Sequence, residues 1–177
     1  EIVEALEKQS CKSEIINSKY NNIISVVKEN DELEFVGSPT KIDKTIIDKM
    51  VDEKKVPVIA PLGLDKNYQT YNINADTAAG SIAKKIKARR LIIMSDVEGV
   101  LNDDQKLIPE INSQSIKDLI DNEIITGGMI PKINNCLDVA SNGVKGVVII
   151  DGRKNHSILF ELLSCLLYTS DTAADSL

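Results

Sequence analysis

Apolar residues fall into two patterns along this chain. Short unbroken apolar runs closed by polar residues, glycine or proline occur at Val56-Pro57-Val58-Ile59-Ala60, ended by Pro61 and Gly63, at Leu91-Ile92-Ile93-Met94, ended by Ser95-Asp96, and at Gly146-Val147-Val148-Ile149-Ile150, ended by Asp151-Gly152. Such runs predict strands buried on both faces. Between the first two, Ala75, Ala78, Ala79, Ile82, Ala83 and Ile86 share one helical face. Asn74 stands where an N-cap belongs, Asp76 lies in the first turn, and Lys84, Lys85, Lys87, Arg89 and Arg90 crowd the other end, as the helix dipole favours.

Further along, Val100-Leu101 and Leu107-Ile108 flank Asn102 to Gln105 and read as a hairpin. Helices are predicted over Ser113 to Asp121, from Met129 to just before Asn142-Gly143, and from about His156 to Leu166. The N-terminal third is less periodic. Ile2 to Leu6 and Lys41 to Val51 read as helical, Ile23 to Val27 and Leu33 to Gly37 as strands on an edge or in a hairpin, and Lys28 to Glu34 as a solvated turn. Strands alternating with helices predict an α/β fold, a mainly parallel sheet covered on both faces. Ligands of such sheets sit beyond the strand C-termini, so Asn72, Asp76, Ser95, Asp96, Gly127 and Lys132 are expected on one rim.

Composition narrows the partners. The chain has 177 residues, 21 Lys+Arg against 27 Asp+Glu for a net charge of −6, and 3% aromatic residues with no Trp. The core must therefore be aliphatic, and a nucleic-acid surface is not expected. Phosphate-bearing ligands remain compatible, because backbone amides at a helix N-terminus bind anions whatever the net charge. Cys11, Cys136 and Cys165 lack the spacing of a zinc site or a disulfide scaffold and read as reduced thiols. No apolar run reaches the length of a membrane span, and Glu1-Ile2-Val3-Glu4 does not read as a signal peptide.

Three segments carry candidate chemistry. Thr126-Gly127-Gly128-Met129-Ile130-Pro131-Lys132 joins two glycines to a helix start with a proline near it and a lysine in the first turn, where a cation is normally disfavoured. An anion site and a plain glycine turn with a solvated lysine both fit. Asn72, Asn74 and Asp76 surround another helix mouth. Asn74 is equally readable as a cap and Asp76 as a dipole partner, whereas Asn72 lies outside both roles. Ser95-Asp96 follows a buried strand, where a carboxylate orders a ribose, a lysine or a hydrated metal, or simply a turn. His156, alone in the sequence, reads as a capping or partly buried residue, with no nucleophile beside it.

Taken together and in order, Tyr71 to Gly80, Ile93 to Leu101 and Ile125 to Lys132 resemble the acetylglutamate kinase branch of the amino-acid kinase family, and Val56 to Gly63 fits as well. The resemblance covers residues 33–164 well and 1–32 loosely. It implies a three-layer α/β/α sandwich that transfers the γ-phosphoryl of ATP to the side-chain carboxylate of N-acetyl-L-glutamate, in arginine biosynthesis. It further implies substrate-binding roles for Asn72 and Asn74, and catalytic roles for Lys132 and for Asp76 as the acid that orders the catalytic lysines. Ser95, Asp96, Gly127, Gly128, Met129 and Lys132 fall on the nucleotide side. Mg²⁺ would ride on the ATP phosphates with no protein metal ligands. A homo-oligomer, an arginine effector and a cytoplasmic or plastid-stromal place are implied too.

The resemblance divides the chain into 1–88, a remnant of the acylglutamate-binding lobe, 89–167, the nucleotide-binding lobe, and 168–177, an unassigned tail. The family's first strand, with its glycine-rich loop and second catalytic lysine, has no counterpart before Glu1, and Cys165 to Leu177 departs from the family's ending. The expectation is thus an N-terminally truncated fragment, inactive alone, whose tail packs poorly. Two other readings fit the same residues: another amino-acid kinase sharing the nucleotide half, and a non-catalytic nucleotide-binding module. The Asn72-Ile73-Asn74-Ala75-Asp76 run argues against the former.

Overall fold

Glycine at Gly63 lets two strands of this protein approach more closely than any other residue would allow. A Cβ there would lie 2.5 Å from a Val26 methyl and 2.9 Å from the Ile24 carbonyl oxygen. The computed structural model describes residues 1–102, 104, 106–108 and 113–164. Two compact units emerge, Glu1–Ile86 and a second from Lys87 onward.

In the first unit, α1 (Ile2–Lys8) leads into β1 (Ser13–Ile16), followed by β2 (Ile24–Lys28), β3 (Gly37–Ile42), α2 (Thr45–Asp52), β4 (Val56–Ile59), β5 (Leu62–Leu64), β6 (Thr70–Asn72) and α3 (Ala75–Ile86). β1 and β4 pair in parallel, from Ser13 opposite Val56 to Ile16 opposite Ile59. A second sheet has the order β3-β2-β5-β6 and is mixed: β2–β3 and β5–β6 are antiparallel, β2–β5 parallel. Ile16, Ile24, Val26, Ile42, Ile47, Met50, Tyr71, Ile73 and Ala78 form its aliphatic core, to which only one aromatic ring contributes.

Several N-terminal expectations shift. Leu33 to Val36 is no strand, because Asn30 Oδ1 accepts the Leu33 N–H at 2.7 Å and the Val36 N–H bonds back to the Leu33 carbonyl at 3.2 Å, closing a turn. Strand begins at Gly37 and runs through Ile42, so the helix expected from Lys41 starts only at Thr45. Asp43 marks that start by accepting the Thr45 N–H at 3.0 Å, which draws its carboxyl below the ordinary range. Pro39 is tolerated because β3 is an edge strand, where a missing N–H breaks no ladder. Strands β1, β5 and β6 are too short to show a period.

The second unit has the elements the pattern predicts, although its strands are only partly buried rather than buried on both faces, with Met94 52% exposed. β7 (Arg90–Ser95) and β8 (Gly146–Asp151) pair in parallel over their full length, Arg90 opposite Gly146 and Ser95 opposite Asp151. Between them come the expected hairpin, with Leu101 bridged to Leu107, then α4 (Ser113–Asp121) and α5 (Met129–Ser141). Val100, Ile116, Ile125 and Ile133 are buried together, with Met129, Ile130, Leu137 and Ile149 packed around them. α6 (Ser157–Ser164) begins one residue later than expected, and the remainder of that expectation, with Cys165 and the 168–177 tail, lies outside the described residues.

Candidate active site

In the first unit the strand-to-helix passage from β6 to α3 sets three candidate residues in one turn of chain. Burial alternates along it: Tyr71 and Ile73 are buried, Asn72 and Asn74 exposed. Asn72 is held on both sides. It pairs with Leu62 of β5, and its N–H donates to the Phe35 carbonyl at 2.8 Å where Val36 bridges to it. Its amide therefore stands on a doubly anchored backbone, pointing away from the core, a geometry suited to holding a ligand rather than a fold contact.

Asn74 does what its position in the sequence allows. Its Oδ1 accepts the Asp76 N–H at 3.0 Å and the Thr77 N–H at 3.2 Å, which is N-capping of α3. That oxygen is committed, so the amide N–H group is what Asn74 has to offer a ligand. Asp76, half-buried in the first turn of α3, sits where the helix dipole stabilises a carboxylate.

In the second unit, the glycine pair precedes α5 as expected. Gly127 is left-handed, with φ of 54°, and a Cβ on either Gly127 or Gly128 would meet nothing within 4 Å. The backbone is thus open to an approaching group, and the glycine at 127 relieves strain that an L-residue would carry. Some of the helix-start amides are used internally. The Met129 N–H donates to Thr126 and the Ile130 N–H to Gly127, at 3.1 and 3.3 Å. The Met129 side chain packs into the apolar cluster and its N–H is already donated to Thr126, so what this turn offers an anion is the main chain of the two glycines. Pro131 is the third helical residue rather than the first, still within the turn whose N–H groups lack helical acceptors. Lys132 follows it in the first turn, half-buried.

Ser95 ends β7. Its hydroxyl donates to Asp96 Oδ1 at 3.4 Å, and its carbonyl accepts the Gly152 N–H at 2.7 Å. His156 proves exposed rather than partly buried, and its carbonyl accepts the Phe160 N–H at 2.9 Å at the start of α6.

The structure adds a group that sequence reasoning missed. Asp151 is buried, 5% exposed at its side chain, and takes three N–H bonds from Arg153, from the backbone N–H, Nε and Nη2, each at 2.9 Å. These bonds hold its carboxyl well below the ordinary range, at about 2. Lys154 Nζ lies 2.6 Å from Glu98 Oε1. The available signal was an Asp two residues before an Arg at the end of a buried strand.

A pH dependence follows. The folded value for Asp151 is depressed, so its contribution to stability is complete above its ordinary value of 3.8 and is lost as pH falls through about 2. Thermal midpoints of the chain and of Asp151→Asn, measured from pH 6 to pH 2, should differ most at the upper end and converge at the lower.

A model of the amino acid kinase family matches residues 1–151. The chain is 69% identical over 164 residues to the acetylglutamate kinase of Pelagibacter ubique, covering 93% of this chain and 57% of that one. Smu.665 from Streptococcus mutans superposes with a TM-score of 0.75 at 31% identity, covering 84% of this chain and 60% of that one. The N-acetylglutamate synthase of Neisseria gonorrhoeae complexed with coenzyme A and N-acetyl-glutamate superposes at 0.76 with 22% identity, covering 90% and 37%, a likeness of fold alone. The chain spans little more than half the length of the Pelagibacter protein. With the family model matched from residue 1 to 151, over the β6–α3 turn, the β7 terminus and the glycine-led α5, the chain belongs to the amino acid kinase family.

Proposed function

We propose that this chain is the greater part of an acetylglutamate kinase, an enzyme that moves the γ-phosphoryl of ATP onto the side-chain carboxylate of N-acetyl-L-glutamate. The observation that carries the proposal is the high identity to the Pelagibacter ubique protein across nearly the whole chain. In this reading Asn72 binds the acylated amino acid, and Asn74 shapes the helix mouth beside it. Ser95 and Asp96 serve the nucleoside, and the Gly127 and Gly128 main chain together with Lys132 serves the phosphates, with Met129 anchoring that turn in the core. Asp76 takes the ordering role that the resemblance assigns to it.

The chemistry suits these groups. A side-chain carboxylate is ionised at neutral pH and needs no general base, so catalysis reduces to aligning two anions and neutralising charge that spreads over the transferred phosphoryl. Amides and a lysine supply that neutralisation. The oxygen of the acceptor carboxylate attacks the γ-phosphorus, the bond to the β,γ-bridging oxygen breaks, and ADP leaves with that oxygen. An acyl phosphate remains. N–H donors at the start of α5 suit phosphate oxygens rather than a metal, so Mg²⁺ would travel on ATP and shield its β- and γ-oxygens. Homo-oligomer assembly, an arginine effector and a cytoplasmic place belong to the same proposal and rest on the resemblance. Among the described residues, no helix is long and apolar enough to cross a membrane.

Ligand titrations of ¹⁵N-labelled chain test the division of labour. N-acetyl-L-glutamate should shift the Asn72 side-chain amide, and ATP the Ser95, Asp96, Gly127 and Gly128 amides. Asn72→Ala should weaken the former by about tenfold, the worth of one well-placed hydrogen bond to a charged group, and leave the latter unchanged. Shifts at Asn72 produced by ATP alone would refute the assignment.

A further inference from the structure

We infer that the Glu98–Lys154 ion pair, on a β8 loop folded by the Asp151–Arg153 fork, clasps the loops that follow β7 and β8 and holds Ser95 and Asp96 in place for an adenine nucleotide, so that Arg153 and Lys154 are positioning residues. The inference rests on the proposed assignment of Ser95 and Asp96 to the nucleotide.

The strand ladder runs out where these residues begin. Ser95 opposite Asp151 is the final register pair, and the Gly152 N–H reaches one step further, to the Ser95 carbonyl at 2.7 Å. Gly152 lies so close that a Cβ would stand 3.3 Å from that carbonyl oxygen and 3.4 Å from the Met94 methyl. Past this point the two loops leave the ladder. The Arg153 fork folds the β8 loop back onto Asp151, with a side chain 63% exposed whose positive charge is favoured first by Asp151 and further by Asp96 and Glu98. Lys154 then joins Glu98 directly across the gap, both side chains about half exposed. One loop supplies carboxylates and the other cations.

An exposed pair such as Glu98–Lys154 adds little to global stability. What it alters is geometry. A carboxylate that orders ribose hydroxyls works only from a fixed place, and displacement of a positioning group costs binding even when no direct contact is lost. Asp96 follows β7 immediately and is exposed, so the Ser95 hydroxyl and the loop behind it are what hold it.

The test is a double-mutant cycle read on ATP affinity. Amide spectra of this chain are titrated with ATP and Mg²⁺ for the unaltered sequence, Glu98→Gln, Lys154→Met and the double variant. Either single change should raise the Kd by about threefold, the upper part of what an exposed pair can do, move the unliganded Ser95 and Asp96 amides, and leave the thermal midpoint unchanged. The double variant should be no worse than either single. Arg153→Lys, which keeps the charge and loses the fork, should also raise the Kd, by more than Glu98→Gln does. If Lys154→Met weakens binding equally with Glu98 present or replaced, Lys154 contacts ATP and is no positioning residue. If ATP moves Ser95 and Asp96 in the unaltered chain yet all variants bind it equally, the clasp is refuted and the nucleotide assignment stands. If ATP leaves Ser95 and Asp96 unmoved in the unaltered chain, both fall.

Discussion

Replacing Lys132 with alanine should lower turnover by about 10²–10³, the usual loss when one preorganised donor to a transferring group is removed. The effect is to be measured in a chimera in which residues 1–151 of this chain replace the matching stretch of the Pelagibacter ubique acetylglutamate kinase. Lys132 lies in the first turn of α5, between Pro131 and the buried Ile133, so the helix fixes its backbone. In a loose, metaphosphate-like transition state negative charge builds up on the bridging oxygen that leaves with ADP, beyond what the ground state presents there. Turnover should therefore fall far more than the KM for N-acetyl-L-glutamate rises. Lys132→Arg should recover part of the loss. Equal changes in turnover and in acceptor KM would place Lys132 in substrate binding instead.

The second large effect concerns stability. Gly63→Ala should destabilise the first unit by about 3 kcal/mol, at the upper end of overpacking costs. The intruding Cβ meets a Val26 methyl and, more seriously, the Ile24 carbonyl, a backbone atom that cannot rotate away. Val26 is 3% exposed and Ile24 1%, so neither has room to retreat. Gly127→Ala makes the control. Open space surrounds it, and its cost is only the left-handed backbone, about 1 kcal/mol. Urea unfolding of the chain and both variants checks this, and a Gly63→Ala midpoint equal to that of Gly127→Ala would show the strand crossing at β2–β5 to be looser than described.

Legibility in the sequence tracked the length of each element. α3 and α5 were readable because their aliphatic residues repeat a helical period, and β7 and β8 because each is an unbroken apolar run closed by polar residues; the structure ends α3 at Ile86 as the pattern does. β5 and β6 were hidden because three residues cannot show alternation, and β6 is held by backbone bonds to Leu62 and Phe35 that leave no mark in its own sequence. The turn at Leu33 to Val36 was misread for a related reason. Leu33, Phe35 and Val36 look strand-like, but Asn30 closes the turn through its side chain, and Leu33 and Phe35 are 43% and 57% exposed.

The site divides in the same way. Asn72 stood out because neither capping nor dipole compensation accounted for it, and in the structure its backbone is paired while its side chain is exposed. Asn74 matched the plainer alternative, since its oxygen caps α3. Met129 lay in a recognisable motif, yet its side chain belongs to the core. The Asp151–Arg153 fork escaped notice because an Asp two residues before an Arg is common in turns, and only the burial of Asp151 turns it into a fixed structural pair.

Acyl phosphates react with hydroxylamine to give a hydroxamate and inorganic phosphate, and this makes the reaction directly visible. The chimera, supplied with ATP, Mg²⁺ and N-acetyl-L-glutamate, should form hydroxamate in proportion to ADP released, with little product when L-glutamate replaces the acetylated acceptor and little from Lys132→Ala. A folded chimera that releases ADP without hydroxamate, or that accepts L-glutamate as readily as its acetylated form, would contradict the assignment of this chain to acetylglutamate phosphorylation.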